Sequence, residues 1–177
     1  ISDFEQALAV QPENRSLTIA LAQAQWSAGE QASALETMRQ WLQEHPKDLG
    51  VRTALAQSYL AQDRTEEATV AFERVLEQQP DSLVALNELA ELLRNSAPER
   101  ALDLAENAVA LTPQSGTAQG TLGRILLEKG DYPRAVAALR KAAQLTNNAP
   151  AVQLSLAKAL AANGEEAEAK ALLQGVI

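Results

Sequence analysis

Apolar residues along this chain recur at spacings of three and four, the pattern of amphipathic helices, and the pattern itself returns about every 34 residues. Pro12, Pro46, Pro80 and Pro113 mark the period, at separations of 34, 34 and 33 residues. Each period opens on a Leu-small pair: Leu21-Ala22, Leu55-Ala56, Leu89-Ala90, Leu122-Gly123 and Leu156-Ala157. Eight positions on stands a turn residue (Gly29, Asp63, Gly130, Gly164), and five later an alanine (Ala34, Ala68, Ala135, Ala169). In the third period the alanine, Ala101, arrives one residue early through RNSAPERA, which predicts a shortened turn. Further apolar positions follow at four and then three: Met38 and Trp41, Phe72 and Val75, Ala105 and Ala108, Leu139 and Ala142, Leu173 and Val176. Each period thus predicts two helices of about three to four turns joined by a tight turn. A fixed period of this length predicts stacked units in place of one globular core.

The small residues fall where paired helices must cross, because only Gly or Ala lets two axes approach closely. Ser96-x-x-Glu99 and Asp63-x-x-Glu66 have the form of capping boxes at second-helix starts, and Asn14, Ser82 and Asn148 are candidate caps for first helices. Pro98 and Pro133 fall in predicted first turns, where a missing amide costs little.

The sequence resembles a tetratricopeptide repeat (TPR) array, whose pattern is a Leu-Gly/Ala pair, a later Ala, an aromatic, another Ala and a closing Pro. The resemblance covers essentially the whole chain and recurs five times in phase. It departs from the family pattern in three ways. The opening Trp is replaced by Thr18, Arg52, Leu86, Gln119 and Gln153, the fourth closing Pro is Asn147, and the third turn is short. The resemblance implies an all-α, right-handed superhelical solenoid of antiparallel helix pairs. Residues 1–177 would form a single array, with 1–11 as the second helix of a truncated repeat and repeats at 12–46, 47–80, 81–113, 114–147 and 148–177. Beginning in mid-repeat, the chain is expected to be a piece of a longer protein. The tract ELAELLRNSAPERALDLAENAVALTP through GTLGRILLEKGDYPRAVAALRKAAQL also resembles bacterial TPR proteins of exopolysaccharide and exosortase loci, through the motifs at Arg100–Leu102 and Thr121–Gly123. That resemblance implies an envelope or periplasmic setting.

With 46% hydrophobic but only 3% aromatic residues, Ala and Leu must supply the packing. No run of about 18 apolar residues is present to span a membrane. There are no cysteines, which removes disulfides and thiolate metal sites. The net charge of −8 argues against nucleic acid, whose phosphates need Lys and Arg. The charge is uneven: residues 1–112 hold 18 acidic and 8 basic residues, and residues 113–177 hold 5 and 7. Catalytic constellations are missing from the pattern. The sole histidine, His45, stands beside Pro46 at a helix end, where it builds neither a triad nor a metal pair. Glu66-Glu67 and Glu165-Glu166 sit at second-helix starts, where they complement the helix dipole. The eight glycines are scattered and form no phosphate loop. No catalytic residue, metal or cofactor is therefore expected.

Binding remains, and the family resemblance implies where. First helices of TPR units line a concave groove, into which the residues two beyond each opening Leu would project: Gln23, Gln57, Glu91, Arg124 and Lys158. Ile19, Thr53, Asn87, Gly120 and Leu154, four before, and Trp26, Leu60, Arg94, Leu127 and Ala161, three after, would flank them. Trp26 has two readings, a binding hot spot or packing against the next repeat. Trp41 reads as core. Arg124 and Lys158 offer a basic end to a carboxylate, although the Lys and Asn pattern of chaperone-tail carboxylate clamps is not reproduced. The expected function is a non-catalytic scaffold for a protein or peptide partner, with a TPR arm of a larger enzyme such as a glycosyltransferase as the alternative. At the chain ends, Leu160, Leu172, Val176 and Ile177 are expected to be only partly covered, favouring weak end-to-end self-association.

Overall fold

The structure is a computed structural model that describes residues 1–174. Among these residues there are eleven helices and no strand. The chain divides into two compact units, Ile1–Pro80 and Asp81–Ile177. The first holds α1 (Ser2–Val10), α2 (Arg15–Ser27), α3 (Gln31–Glu44), α4 (Leu49–Leu60) and α5 (Thr65–Gln78). The second holds α6 (Leu83–Leu93), α7 (Pro98–Leu111), α8 (Gly116–Lys129), α9 (Tyr132–Leu145), α10 (Pro150–Ala162) and α11 (Glu166–Gln174). Within each unit successive helices pack as antiparallel neighbours, and in the second α8 also touches α6 and α10.

Two backbone devices make the pairs. At the turn inside the first, second, fourth and fifth repeats a left-handed residue ends the first helix: Gly29, Asp63, Gly130 and Gly164, with φ of 82°, 57°, 81° and 88°. The amide following each reaches back five residues, Glu30 to Gln25, Arg64 to Tyr59, Asp131 to Leu126 and Glu165 to Leu160, at 2.8–3.0 Å. These are the closures that satisfy orphan carbonyls at a helix end. The short third turn omits the left-handed residue, and the Ala97 amide instead bonds the Leu93 carbonyl at 2.8 Å.

That geometry corrects three expected caps. Asp63 cannot also cap α5, because it occupies the left-handed position; Arg64 is the boundary residue and holds Glu67 with its guanidinium at 2.9 and 2.5 Å. Ser96 does not cap α7, whose boundary is Ala97 followed by Pro98 in the first turn. Asn148 is left-handed, with φ of 58°, and Ala149 precedes α10. Asn14 does cap α2 through the Leu17 amide, while Ser82 stands at the boundary of α6 without a side-chain bond. Asp48, Ser115 and Asp131 cap α4, α8 and α9.

The cores are built from the repeated positions. The opening pairs are buried in all five repeats, as are Ala34, Ala68, Ala101, Ala135 and Ala169. Met38, Trp41, Phe72, Val75, Ala105, Ala108, Leu139 and Ala142 fill the space between helices. Each fully buried large side chain contributes about 1.5–3 kcal/mol relative to exposure. The pattern stops at α11, where only Ala169 is buried and Leu173 is 40% exposed. Leu160 corrects the expectation of a partly covered end, since it is fully buried in the core that α9, α10 and α11 share. Leu172 is partly buried; Val176 and Ile177 lie outside the described residues. At the other end α1 packs on α2 with Phe4 and Leu8 half-buried.

Gly123 shows how tight the crossing is. A Cβ there would stand 2.4 Å from Leu139 Cγ, and Leu139 is itself fully buried. We expect Gly123→Ala to destabilise the protein by about 1–3 kcal/mol through overpacking. In a Leu139→Ala background the same change should instead stabilise, by up to about 1 kcal/mol from helix propensity. Thermal melts of the four variants read the sign change, and equal signs in both backgrounds would refute the steric account.

Asp48 joins two repeats in the first unit. Its carboxylate accepts from the Val51 amide at 3.1 Å and the Trp41 indole N–H at 2.9 Å, and pairs with Arg15 at 3.0 Å. Burial pushes its pKa up, but these partners together bring it below the ordinary carboxylate value. A lowered folded pKa gives stability that is present above the unfolded value and lost as pH falls through the folded one. We expect Asp48→Asn to cost about 1–2 kcal/mol at neutral pH, and the difference from wild type to shrink below pH 3.8. Urea unfolding followed by tryptophan fluorescence across this range checks it.

Candidate functional site

In the first unit α2 and α4 present side chains to a common cleft, with α3 as its back wall. The cleft has a volume of about 520 Å³, and Ile19, Gln23, Trp26, Met38 and Gln57 are among its lining. Gln23 and Gln57 are exposed, two amides in the same slot of consecutive repeats, while Ile19 and Trp26 are half-buried. Trp26 stands at the end of α2 beside Ser27, so its ring is both packed and presented. Ala54, Ser58 and Ala61 complete the α4 wall. These three were not singled out by the repeat pattern. The signal available was their offset from Gln57 by −3, +1 and +4, one broad stripe of a helix. Thr53 and Leu60 are half-buried on α4, and the Thr53 hydroxyl donates to the Leu49 carbonyl at 2.8 Å.

In the second unit the corresponding slots behave differently, because opposite charges occupy consecutive repeats. Arg124 donates from Nε to Glu91 Oε1 at 2.9 Å, and its Nη2 bonds Glu91 and also Thr121 Oγ1, the latter at 3.2 Å. Arg94 Nε lies 3.1 Å from Glu128 and its Nη1 3.5 Å from Glu91. Glu91, Arg94 and Arg124 are all half-buried in this network. The expected free basic end is thereby reduced: Arg124 is already neutralised, and Lys158 on α10 is exposed without an ion pair among the described residues. Asn87 is buried and donates to the Leu83 carbonyl at 2.8 Å, so it offers little surface to a ligand. Gly120 is buried, Leu127 half-buried, and Leu154 and Ala161 exposed.

Arg52 is the residue whose placement the repeat pattern did not foresee. It occupies the opening slot and is 7% exposed, its Nη2 donating to the Pro46 carbonyl at 2.5 Å. Gln119 makes the same bond to Pro113 at 3.1 Å, and Thr18 bonds the Asn14 carbonyl at 3.3 Å. A charged residue in a slot that is buried in four of the five repeats was the available signal. Among the described residues no group of His, Asp or Glu side chains could hold a metal ion, and no helix is long and apolar enough to cross a membrane.

With paired helices, left-handed turns and buried small crossings established, the chain belongs to the tetratricopeptide repeat family. Models described as Tetratricopeptide repeat match residues 1–58, 26–92 and 92–140, and one described as TPR repeat matches 123–164. Among solved structures it is similar to a tetratricopeptide repeat protein from Parabacteroides merdae (TM-score 0.83, 18% identity, 99% of this chain and 70% of that one). It is also similar to MamA from Desulfovibrio magneticus RS-1 (0.80, 18%, 91% and 92%) and to YrrB, titled a TPR protein with an unusual peptide-binding site (0.76, 19%, 98% and 90%). At these identities the likeness concerns the fold. In sequence it is 27% identical over 160 residues to the human protein O-mannosyl-transferase TMTC1, covering 88% of this chain but only 18% of that protein.

The Glu91–Arg124 pair is open to direct measurement. A double-mutant cycle with Glu91→Ala and Arg124→Ala should give a coupling of about 0.2–1 kcal/mol, the range for incompletely buried pairs. Raising salt from low ionic strength should reduce it. A coupling of zero would show that the pair orders nothing.

Proposed function

We propose that this protein is a non-catalytic scaffold that binds a peptide or protein segment, and that the α2–α4 cleft of the first unit is a principal contact. The observation that carries this reading is the convergence of Ile19, Trp26 and Met38 with the amides of Gln23 and Gln57 in one open cleft. Apolar surface supplies affinity for a side chain. The two amides, which can both donate and accept, suit the backbone of an extended or helical segment. Lys158 adds a free positive charge in the second unit, and Arg124 becomes available to an anionic partner only if Glu91 releases it. The resemblance to exopolysaccharide-locus proteins extends the proposal to assembly at a bacterial envelope.

The test is a displayed-peptide selection on the 177-residue chain, followed by polarisation titration of the best binders. Trp26→Ala should weaken binding about tenfold or more, as a central aromatic contact does, and Gln57→Ala by less, with helicity unchanged. Binders indifferent to both changes would place the recognition surface elsewhere.

A second reading, that the repeats are an arm of a larger glycosyltransferase, is favoured by the similarity to the human O-mannosyl-transferase. It requires a catalytic domain elsewhere in the parent protein. There, Trp26→Ala should raise KM for a protein acceptor while leaving kcat unchanged.

A further inference from the structure

On the side of α4 away from the α2–α4 cleft lies a larger cavity of about 750 Å³, walled by α3 and α5. At 3.6 residues per turn, Arg52, Leu55 and Tyr59 leave α4 roughly opposite Ala54, Gln57 and Ala61. The cavity is bounded by those three residues together with Arg39 from α3 and Val70 and Arg74 from α5. Its floor is Arg52, a residue only 7% exposed overall, whose guanidinium has no carboxylate within ion-pair distance among the described residues. Among the described residues only the Pro46 carbonyl bonds it, and its buried Nε finds no acceptor. A buried charge without an opposite charge is costly, and an unmade bond at its nitrogen adds to that cost.

The surroundings raise the positive character of the floor. Arg74 acts on Arg52 as a like charge and is itself exposed. Arg39 is held over the Tyr59 ring, 5.6 Å from its centroid, by a 3.0 Å bond from its Nε to the phenol oxygen, and its Nη1 lies 3.7 Å from Glu36, which compensates part of its charge. The acidic groups of the lining are at the start of α5, where Glu67 is engaged by Arg64 at 2.5 Å and Glu66 is exposed in the first turn, and Glu36 on α3 stands beside Arg39. Glu77 also acts on Arg52, more weakly than Arg74. Leu42, Leu55, Val70 and Ala71 make the remaining wall apolar.

We infer that this cavity is a second binding site, which takes a carboxylate carried beside an aliphatic side chain, as at the C-terminus or an acidic position of a peptide. The carboxylate would lie against the Arg52 side chain that floors the cavity and face Arg39 and Arg74, while the aliphatic group covers Val70 and Leu55. A bare anion leaves the apolar wall wet, and an apolar group alone leaves the guanidinium unpaired. The class of ligand follows from having both.

The probe is N-acetyl-leucine, titrated into the whole 15N-labelled chain and followed by NMR, with N-acetyl-leucinamide and inorganic phosphate as comparators. Saturable shifts of the Arg52 Nε–H and of the Leu55 and Val70 amides are expected, with the amide analogue weaker by about tenfold, the effect of losing a bond to a charged group. Arg52→Gln is the informative variant, because Gln119 shows that glutamine in this slot still reaches the preceding carbonyl. It should abolish the shifts without altering helicity. Arg74→Gln changes only an exposed residue and should weaken binding severalfold, so the proposal stays testable if Arg52→Gln misfolds. Equal shifts from the amide would reduce the site to an apolar pocket, and equal shifts from phosphate to a general anion attractor. Shifts undiminished in both folded variants, or confined to the α2–α4 cleft, would also overturn it.

Discussion

Everything in each unit depends on how closely two helices approach at the opening pair. Ala22, Ala56, Ala90, Gly123 and Ala157 are all buried, and the facing Ala34, Ala68, Ala101, Ala135 and Ala169 are equally so. With at most a methyl on either side, the axes come together enough for the next shell to interlock: Met38, Phe72 and Leu139 lie over the small residues and seal the pair. Close packing makes such a crossing sensitive to single methyl groups. The fourth repeat takes this furthest, with glycine where the others carry alanine and a leucine occupying the space that a Cβ would need. A low aromatic content is a consequence of this geometry. Rings are confined to positions beyond the crossing, as Phe72 and Trp41 are.

The sites are by-products of the same crossing. Holding the first helix of a pair tightly on its own second helix leaves its far side to face the next repeat, and cavities form where neighbouring side chains are short or polar. On α4 this occurs twice. Ala54, Ser58 and Ala61 leave room on one side, and Arg52 leaves room on the other. Both cavities are walled mainly by helices, with Pro46 and Ala61 the lining residues just outside them, so a partner bound in either would find most of the wall already ordered.

Most of the fold was legible because one text is written five times. The left-handed turn residues stood where the eight-residue offset put them, and the missing residue in RNSAPERA removed a left-handed turn without breaking the pair. Caps were less legible, since Asp and Asn serve both as caps and as left-handed residues. Asp63 and Asn148 took the second role. Of the candidate groove, Ile19, Gln23, Trp26 and Gln57 come together in one cleft. Glu91 and Arg124 come together as an ion pair, and this was readable in principle. They stand 33 residues apart in the same slot of consecutive repeats, so opposite signs there meet across neighbouring helices. What the repeat pattern hides is whether a polar residue in the slot points to solvent, as Gln57 does, or is consumed by its neighbour.

The opening slot of the repeat makes the same point from the buried side. A polar side chain there turns back along its own helix toward the preceding connection, as Thr18 does to Asn14, Arg52 to Pro46 and Gln119 to Pro113. Turning back satisfies one donor and vacates volume: cavities of about 240 Å³ beside Thr18 and about 750 Å³ beside Arg52 occupy equivalent places in the first unit. For a hydroxyl or an amide the exchange is close to neutral, because one hydrogen bond answers most of the burial cost. For a guanidinium it is not, since one carbonyl leaves a net charge and a buried N–H without an acceptor. An arginine that only stabilised the fold would be outperformed there by glutamine or leucine, both of which this chain uses in the same slot at Gln119 and Leu86. Arg52 is therefore the opening-slot side chain with a buried N–H left unpaired among the described residues, and that is the observation on which the second-site proposal rests.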